Sequence, residues 1–315
     1  MYFLGPAPNR SALLTVLPLA CLLTVIASPR CKAQLSPAEQ LLYANAKPYL
    51  AEPPEKLIAQ IPELQGLRPA ADQQPLSRIL ASTGTVVEGY FDSLIDLIAH
   101  EDIDQEILSA QGAIKHKQHR TYDYLIVLHR DELPPRIEEY RIAPDGKRVE
   151  QTGRGAGFPI TSGFALNCIH FLPDFRPDST FSYLGEQILN SRNTFVVAFA
   201  QQPAKARYLV RVSISGQSSS ASTPVLIQGV AWIDQSNYQI LRLRTDLLAT
   251  RPDVGLSALT TEVTFAEFRL PDVSGPLWLP DKVTVADEHN GHAYLNQHLY
   301  SNYQRFGVAV KMLPQ

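Results

Sequence analysis

The chain has 315 residues, of which 45% are hydrophobic, so it is long enough to bury the core of one large domain or two small ones. It carries 28 Lys plus Arg against 31 Asp plus Glu, a formal net charge of −3, and shows no broad basic field that would attract nucleic acid. Nucleic acid is therefore excluded as an expected partner.

The N-terminus has the pattern of an export signal. Arg10 is the only charged residue before an uncharged apolar run from Ala12 to Ala27, and Ser28, Pro29 and the small Ala33 follow. The run is shorter than the ~20 residues that a helix needs to span a bilayer. We expect residues 1–33 to be a signal peptide cleaved after about Ala33, leaving a periplasmic or secreted protein without a transmembrane segment. The alternative is an uncleaved membrane anchor.

Two of the three cysteines precede this cleavage site. Cys21 lies in the apolar run and Cys31 lies just before the cut, so the mature protein retains only Cys168 and cannot close an internal disulfide. Core burial must then provide its stability. Leu19-Ala20-Cys21 is similar to a lipoprotein box, although Pro18 stands where such boxes have Leu, so lipidation of Cys21 stays an alternative.

Residues 34–100 form a predicted N-terminal helical segment. Within it, Leu57, Ile61 and Leu64 recur at helical spacing and predict a short, loosely docked helix. The stretch Arg68–Pro75 is polar and bracketed by prolines, which is typical of a linker.

The best helix that the sequence predicts covers Leu76–His100, where apolar residues form one broad stripe. Gly84 and Gly89 each weaken this helix by ~1 kcal/mol relative to alanine. We therefore expect its stability to come from packing on a sheet.

Residues 101–315 are predicted to form an antiparallel β domain, because runs of β-branched and aromatic residues alternate there with turn residues. The fold class is α+β, mainly antiparallel β. Roughly eleven strands exceed what a flat sheet usually holds without curling. The predicted strands are Asp102–Gln111, Tyr122–Arg130, Arg136–Ala143, Ser179–Leu189, Thr194–Gln201, Tyr208–Ser215, Val225–Ile233, Gln239–Leu248, Thr260–Leu270, Leu277–Asp287 and Ala293–Arg305.

Two predicted strands are apolar on both of their faces. In Phe195–Ala200 and in Leu226–Ile233 both alternating sets of side chains are apolar, so both faces of the sheet need cover there. The helix Leu76–His100 can cover one face, and the other must close as a barrel or line a cavity. The candidate cavity-lining residues are Phe164, Phe171, Phe195, Val197, Phe199, Leu226, Val230, Trp232 and Trp278.

Phe164 and Phe171 belong to a segment that interrupts the strand pattern between Phe158 and Phe175. Ser162 can act as an N-cap there, so we expect a short helix followed by an apolar loop against the sheet.

Catalytic and metal-binding patterns are weak. Cys168 and His170 form the most suggestive nucleophile–base pair, but nothing specifies the electropositive pocket that a reactive thiol needs, and a buried structural cysteine is the favoured interpretation. His289, His292 and His298 surround a hairpin turn at Gly291 without obvious tetrahedral geometry, so no metal site is expected. No cofactor is expected either.

The charged run Lys115–His119 is interpreted as a solvated loop between strands.

From about Asp102 to Phe306 the chain resembles a family of exported bacterial proteins of uncharacterised activity. Phrases that carry this resemblance are TYDYLIVL, EEYR, SGFALNCIHFLPDF, VVAFAQQP, QGVAWIDQSNYQILRLRTDLL, TTEVTF, LWLPDKVTV and NQHLYSNYQRF.

The chain also distantly resembles the periplasmic lipoprotein-carrier (outer-membrane lipoprotein sorting) fold, through Trp232-Ile233-Asp234, Asn237, Arg242 and Leu277-Trp278-Leu279-Pro280. This second resemblance implies an incomplete antiparallel barrel with helices on its concave face and a cavity that holds acyl chains. It covers mainly the last third of the chain.

Three functional hypotheses follow. The first is a non-catalytic periplasmic protein that binds an acyl chain or another apolar ligand in a sheet cavity by burial alone. The second is a structural or interaction module of the cell envelope, with an envelope protein as partner and the concave face filled by the protein's own side chains. The third is a hydrolase that uses Cys168.

Overall fold

The computed structural model describes residues 35–94, 96–129, 136–149, 164–206, 210–213, 222–271 and 273–306. The expected signal peptide, the cleavage site at Ala33, Cys21 and the proposed N-cap Ser162 lie outside these residues.

Within these described residues, three α-helices and a series of short 3₁₀ helices accompany the strands. The α-helices are α1 Pro37–Ala44, α2 Pro54–Gln60 and α3 Leu76–Ser93, and the 3₁₀ helices are Tyr49–Ala51, Pro62–Leu64, Phe164–Phe171, Arg176–Asp178 and Pro252–Val254. Within the described part of the chain, no helix combines the length and apolar character needed to cross a membrane.

The strands outnumber the helices and overlap all of the strands predicted from the sequence. They are β1 Arg68–Pro69, β2 Leu97–Leu108, β3 Ile114–His129, β4 Arg136–Ile142, β5 Arg148–Val149, β6 Ser179–Leu189, β7 Arg192–Gln201, β8 Val210–Ser213, β9 Ser222–Val225, β10 Ile227–Asp234, β11 Ile240–Leu247, β12 Leu256–Phe268, β13 Leu277–His289 and β14 His292–Arg305.

Among the described residues, twelve strands form one curved antiparallel sheet in the order β1-β6-β7-β10-β11-β12-β13-β14-β2-β3-β4-β5, and β8 pairs with β9 separately. In the described part of the chain β1 and β5 stand at opposite edges, so the sheet is an incomplete barrel. The predicted fold class is confirmed.

The face of the sheet that packs against α3 is called the inner face here. The 18 residues of α3 extend for ~27 Å, and the helix contacts both β6 and β13, which are five inter-strand steps apart. The 3₁₀ segment Phe164–Phe171, called the plug below, contacts α3, β11 and β13 on the same face. Helix and plug together therefore cover the inner face.

The opposite, outer face is covered over β7, β10 and β11 by residues 35–67, called the outer cover below. Leu57, Ile61 and Leu64 are fully buried against Trp232 and its neighbours. The expectation of a loosely docked helix is therefore wrong, because its apolar stripe meets an apolar sheet face. This cover also explains why β7 and β10 are apolar on both faces.

The predicted linker Arg68–Pro75 is also partly ordered into the sheet. Arg68 and Pro69 form β1 and pair with Glu186 and Gly185 at the edge of β6. Gly185 permits this approach, since its φ is 138° and a Cβ there would lie 2.0 Å from the carbonyl oxygen of Arg68.

The predicted helix Leu76–His100 is correct at its start and wrong at its end. The helix ends at Ser93, and Leu97 to His100 already belong to β2, which pairs with β3 and β14. Residues 97–105 alternate between buried and half-buried side chains, so strand pairing overrides the apparent helical stripe. The proposed division of the chain at residue 100 falls within this strand.

The run Lys115–His119 is not a loop but part of β3. Its side chains on one face meet acidic residues of β2, where Lys117 pairs with Glu106 at 3.0 Å and His119 contacts Asp104 at 2.9 Å. Cross-strand charge pairing on this face therefore accommodates the polar run within the strand.

Candidate functional site

The inner face carries the largest apolar cluster among the residues that the structure describes, called the inner cluster below. It joins residues of α3, the plug and strands β2, β3, β6, β7 and β10–β14. Five of the nine predicted cavity-lining residues lie in it, and Trp278 packs at its margin. These five are Phe164, Phe171, Phe195, Val197 and Phe199.

The other three predicted lining residues lie on the outer face, which corrects the proposal that all nine surround one cavity. Val230 and Trp232 pack with α2 under the outer cover, and Leu226 packs with α1. Successive side chains of a strand point to opposite faces, and the predicted set drew on both alternating series. Trp232 is fully buried and donates its indole N–H to Gln187 Oε1 at 2.8 Å.

The plug is an apolar 3₁₀ segment inserted between α3 and the sheet. Its ends carry the aromatic residues Phe164 and Phe171, and the Phe171 ring lies 5.8 Å from that of Phe199. Hydrogen bonds hold Ala165 on both sides, because Tyr90 Oη donates to its carbonyl oxygen and its N–H donates to Glu139 Oε1, each at 3.1 Å. A helical segment was predicted here, and the structure confirms it from Phe164 onwards.

The plug and α3 fill the hollow of the curved sheet. Tyr90 of α3 and Leu94, which directly follows the helix, are buried in the same cluster as the plug, at 9% and 0% exposure. Gly84 lets the two elements approach, since a Cβ there would lie 3.3 Å from the carbonyl oxygen of Phe171. The space that the sequence assigned to a ligand is therefore occupied by the protein's own side chains.

Beside the plug, a buried polar network spans β2, β4 and β14. Glu101 accepts from Arg141 Nη2 at 2.6 Å and from the Tyr300 hydroxyl at 2.8 Å, and its Oε1 lies 2.9 Å from His298 Nδ1. Burial opposes ionisation of Glu101, but Arg141 and His298 outweigh it and lower the pKa of Glu101 to about 2. The ring of Phe164 packs on His298, with centroids 5.0 Å apart. Network and plug are thus in direct contact.

This network was not predicted from the sequence. The signal that could have revealed it is a charged residue, Glu101, within the apolar alternating series Leu97, Ala99 and Ile103 of β2. Its partner Arg141 lies 40 residues further along the chain, so the pairing depends on sheet register.

The surroundings of Cys168 oppose a nucleophilic role. Burial raises the pKa of its thiol and lowers that of His170 to about 3. The His170 ring stacks on Phe199 with centroids 4.9 Å apart. A thiol nucleophile must ionise, whereas this site stabilises the neutral form of both groups.

The three histidines that the sequence offered as candidate metal ligands do not converge. Asn290 and Gly291 form the predicted hairpin turn with φ angles of 51° and 75°, and His289 pairs with His292 across it. His298 lies on the buried carboxylate of Glu101 instead. Among the residues that the structure describes, no group of three His, Cys, Asp or Glu is arranged to hold a metal ion.

An open cavity of about 520 Å³ lies away from the plug, between the outer cover and the ends of β6 and β7. Its lining includes Tyr43, Leu50, Ala200, Gln202 and Leu248. This volume is within the range of small-ligand pockets, but the cavity lies outside the predicted inner site.

The comparisons with known proteins concern the fold. No family model matches the chain, and no curated protein matches its sequence. Similar solved structures include a putative outer membrane lipoprotein-sorting protein domain from Vibrio parahaemolyticus, 13% identical with a TM-score of 0.37, covering 74% of this chain and 94% of that one.

A DUF1329 family protein from Desulfovibrio piger is 10% identical with a TM-score of 0.40, covering 75% of this chain and 95% of that one. A LolA superfamily protein from Nitrosomonas europaea is 11% identical with a TM-score of 0.31, covering 74% and 97%. These structures are in line with the distant resemblance to the lipoprotein-carrier fold that the sequence predicted. Their TM-scores are 0.40 or lower, so they determine neither a ligand nor an activity of this chain, and the fold class follows from its own strand order.

Proposed function

We propose that the protein is a non-catalytic periplasmic binding protein that holds an acyl chain or another apolar ligand against the inner face of its sheet. In this proposal the ligand takes the place of the plug. The observation that carries it is that a short 3₁₀ segment, packed beside α3, occupies part of the hollow of the curved sheet with its own apolar side chains.

The plug can be exchanged for a ligand because its contacts are of a kind that an acyl chain reproduces. Phe164, Ala165, Cys168 and Phe171 are all at most 3% exposed and pack against apolar side chains. Each methylene that a ligand buries in the same space would contribute ~0.8 kcal/mol. No covalent step or catalytic group is required.

The plug is also less regular than the α-helix and the strands that surround it. A 3₁₀ helix has poorer hydrogen-bond geometry than an α-helix and rarely extends far. Local opening is expected first where backbone hydrogen bonding is weakest, so the plug is the natural element to move.

The second candidate is a structural or interaction module of the envelope, and the filled hollow favours it. If the plug never leaves, the inner cluster is an ordinary hydrophobic core. The two candidates therefore differ in one property, which is whether the plug can be displaced.

Native mass spectrometry of gently purified protein, together with titration of a fluorescent fatty acid, separates them. We expect a co-purified or exchangeable apolar ligand with one binding stoichiometry. A consistently ligand-free mass without uptake of the fluorescent fatty acid would leave the structural candidate.

Tyr90→Phe sharpens this test. It keeps the ring and removes the hydroxyl that donates to the carbonyl oxygen of Ala165, which weakens plug docking by about 1 kcal/mol. A ligand that competes with the plug should then bind about fivefold more tightly. Tyr49→Phe is the matched control, because it removes a hydroxyl in the outer cover and should leave the fatty-acid affinity unchanged.

A further inference from the structure

The inner face is apolar at one end and polar at the other. Along β14, the inner-facing residues from the plug towards the hairpin turn are Tyr300, His298, Asn296 and Tyr294. Phe164 of the plug contacts the first two of these rings. The polar stripe thus begins where the plug ends.

Three amide side chains cross this stripe in a ladder. Gln118 Nε2 donates to Gln105 Oε1 at 2.8 Å, and Gln105 Nε2 is 3.3 Å from Asn296 Oδ1. Gln105 and Asn296 are almost fully buried, whereas Gln118 is half-buried at the rim. Amide groups both donate and accept hydrogen bonds, so the ladder can serve an uncharged polar group without itself carrying charge.

Asp287 adds a carboxylate on the same face. On β13 it follows Val283 and Val285 of the inner cluster with the same alternation, and it pairs across the sheet with Tyr294. Among the described residues, none forms a hydrogen bond or ion pair with its carboxylate. Burial raises the pKa of Asp287 to about 7.

Asp287 determines the net charge at this polar end of the inner face. Glu101 is compensated by the guanidinium of Arg141 and contacted by His298. Asp287 has no such compensation among the residues that the structure describes. An anionic group brought to this end of the inner face would therefore meet a poorly solvated carboxylate, whereas a hydroxyl could donate a hydrogen bond to it.

We infer that Gln105, Gln118, Asp287 and Asn296, called the inner polar patch, bind the head group of an amphiphile, and that this head is uncharged and rich in hydroxyl groups. This inference rests on the proposed function, since the acyl chain would take the place of the plug and bring the head to the patch. The inner polar patch would then select among lipids with the same acyl chain according to the chemistry of their head groups.

Two probes with the same ten-carbon chain test the inference by calorimetric titration of the mature chain at about pH 8. 1-Monodecanoylglycerol carries hydroxyl groups, and decanoate carries a negative charge. We expect the monoacylglycerol to bind at least tenfold more tightly. Asp287→Asn should narrow this ratio to about threefold or less, chiefly by strengthening the binding of decanoate.

Glu288→Gln is the matched control. Glu288 is the next residue of β13 and is exposed on the opposite face, so the variant loses the same charge without touching the patch. It should retain the full ratio between the two probes.

The possible outcomes distinguish failure of the head-group assignment from failure of the proposed apolar binding. Equal binding of the two probes, or tighter binding of decanoate, would overturn the head-group assignment while apolar binding stands. An unchanged ratio in a folded Asp287→Asn protein would remove Asp287 from the assignment. Failure of both probes to bind would overturn the proposed function and this inference together.

Discussion

The two faces of the sheet are covered in different ways. On the outer face, charged and polar groups tie the cover to the strands: Arg244 contacts Glu63 at 2.9 Å, Arg251 contacts Glu39 at 3.0 Å, and Gln228 accepts from the N–H of Tyr49 at 2.7 Å. On the inner face, the plug meets the sheet chiefly through apolar side chains.

The two kinds of contact give the two faces different resistance to local opening. Opening the outer cover breaks these ion pairs and hydrogen bonds and also exposes Trp232 and its apolar neighbours, which is costly. Displacing the plug exposes apolar surface that another apolar group can cover again. The outer face is therefore interpreted as the permanent core and the inner face as the exchangeable one.

Trp232→Ala should produce the largest loss. Trp232 is fully buried under the outer cover, so its truncation should lower the free energy of unfolding by about 3–5 kcal/mol. Chemical denaturation measures the loss. Trp278→Ala is the control at a half-buried position and should cost clearly less. Equal losses would show that the outer cover is not part of the permanent core.

Glu101→Gln tests the polar network beside the plug and should cost about 3 kcal/mol at neutral pH, because Arg141 loses its buried partner. The folded-state pKa of Glu101 is lowered to about 2, below its unfolded value. Its contribution is therefore present above about pH 4.5 and is lost as the pH falls towards 2.

Urea denaturation of wild type and variant across this pH range should show their difference shrinking on acidification. Glu138→Gln is the control, because the Arg148 side chain that pairs with Glu138 is largely exposed. This variant should lower the free energy of unfolding by less than Glu101→Gln does. A difference that stays constant down to about pH 2 would contradict the pKa assignment.

Asp287→Asn should stabilise the protein in alkaline solution. Burial raises the folded-state pKa of Asp287 to about 7. Between about pH 4 and 7 the folded protein therefore binds more protons than the unfolded chain. As a result, the free energy of unfolding of the wild type decreases as the pH rises through this window.

At about pH 8 the variant should gain roughly 1–2 kcal/mol, a value reduced for solvent screening of a half-buried carboxylate, and the gain should vanish near pH 4. Thermal unfolding of both proteins at the two pH values checks this. A variant that is less stable at pH 8 would indicate that the carboxylate is favourably bound in the folded state.

Two glycines of α3 give the smallest expected effect and probe the contact between helix and plug. Gly89 has open space around it, so Gly89→Ala should stabilise the protein by about 0.5–1 kcal/mol. Gly84 packs against Phe171 and Pro173, and the crowding from a methyl group should cancel this gain. Equal stabilisation by both substitutions, measured by denaturation, would indicate that the plug yields easily or is not in contact with α3.

Local signals were sufficient for much of the fold. The bounds of β6 and the start of α3 at Leu76 follow from residue periodicity alone, and Asn290-Gly291 sets the hairpin between β13 and β14. The end of α3 was not predicted correctly, because the apolar pattern of Leu97 to His100 fits the period of a helix as well as that of a strand. Only the pairing of these residues with β3 and β14 decides for the strand.

The candidate site was harder to predict because it depends on which face each strand turns inward. Side chains alternate between the two faces along each strand, and this alternation cannot tell from the sequence which face Val197 or Val230 occupies. Only the packing of α3 and the outer cover places Val197 on the inner face and Val230 on the outer face. The partnership of Glu101 with Arg141 and His298 joins three strands that are distant in sequence. No local pattern encodes it.

The central claim is that an apolar ligand displaces the plug, and the Cys168 thiol reports on this directly. Cys168 is buried within the plug at 3% exposure. Labelling of this thiol by N-ethylmaleimide, followed by mass spectrometry at Cys168 with and without 1-monodecanoylglycerol, measures plug displacement. We expect the ligand to accelerate labelling of Cys168 at least tenfold. If the ligand binds while labelling stays equally slow or becomes slower, displacement of the plug is contradicted.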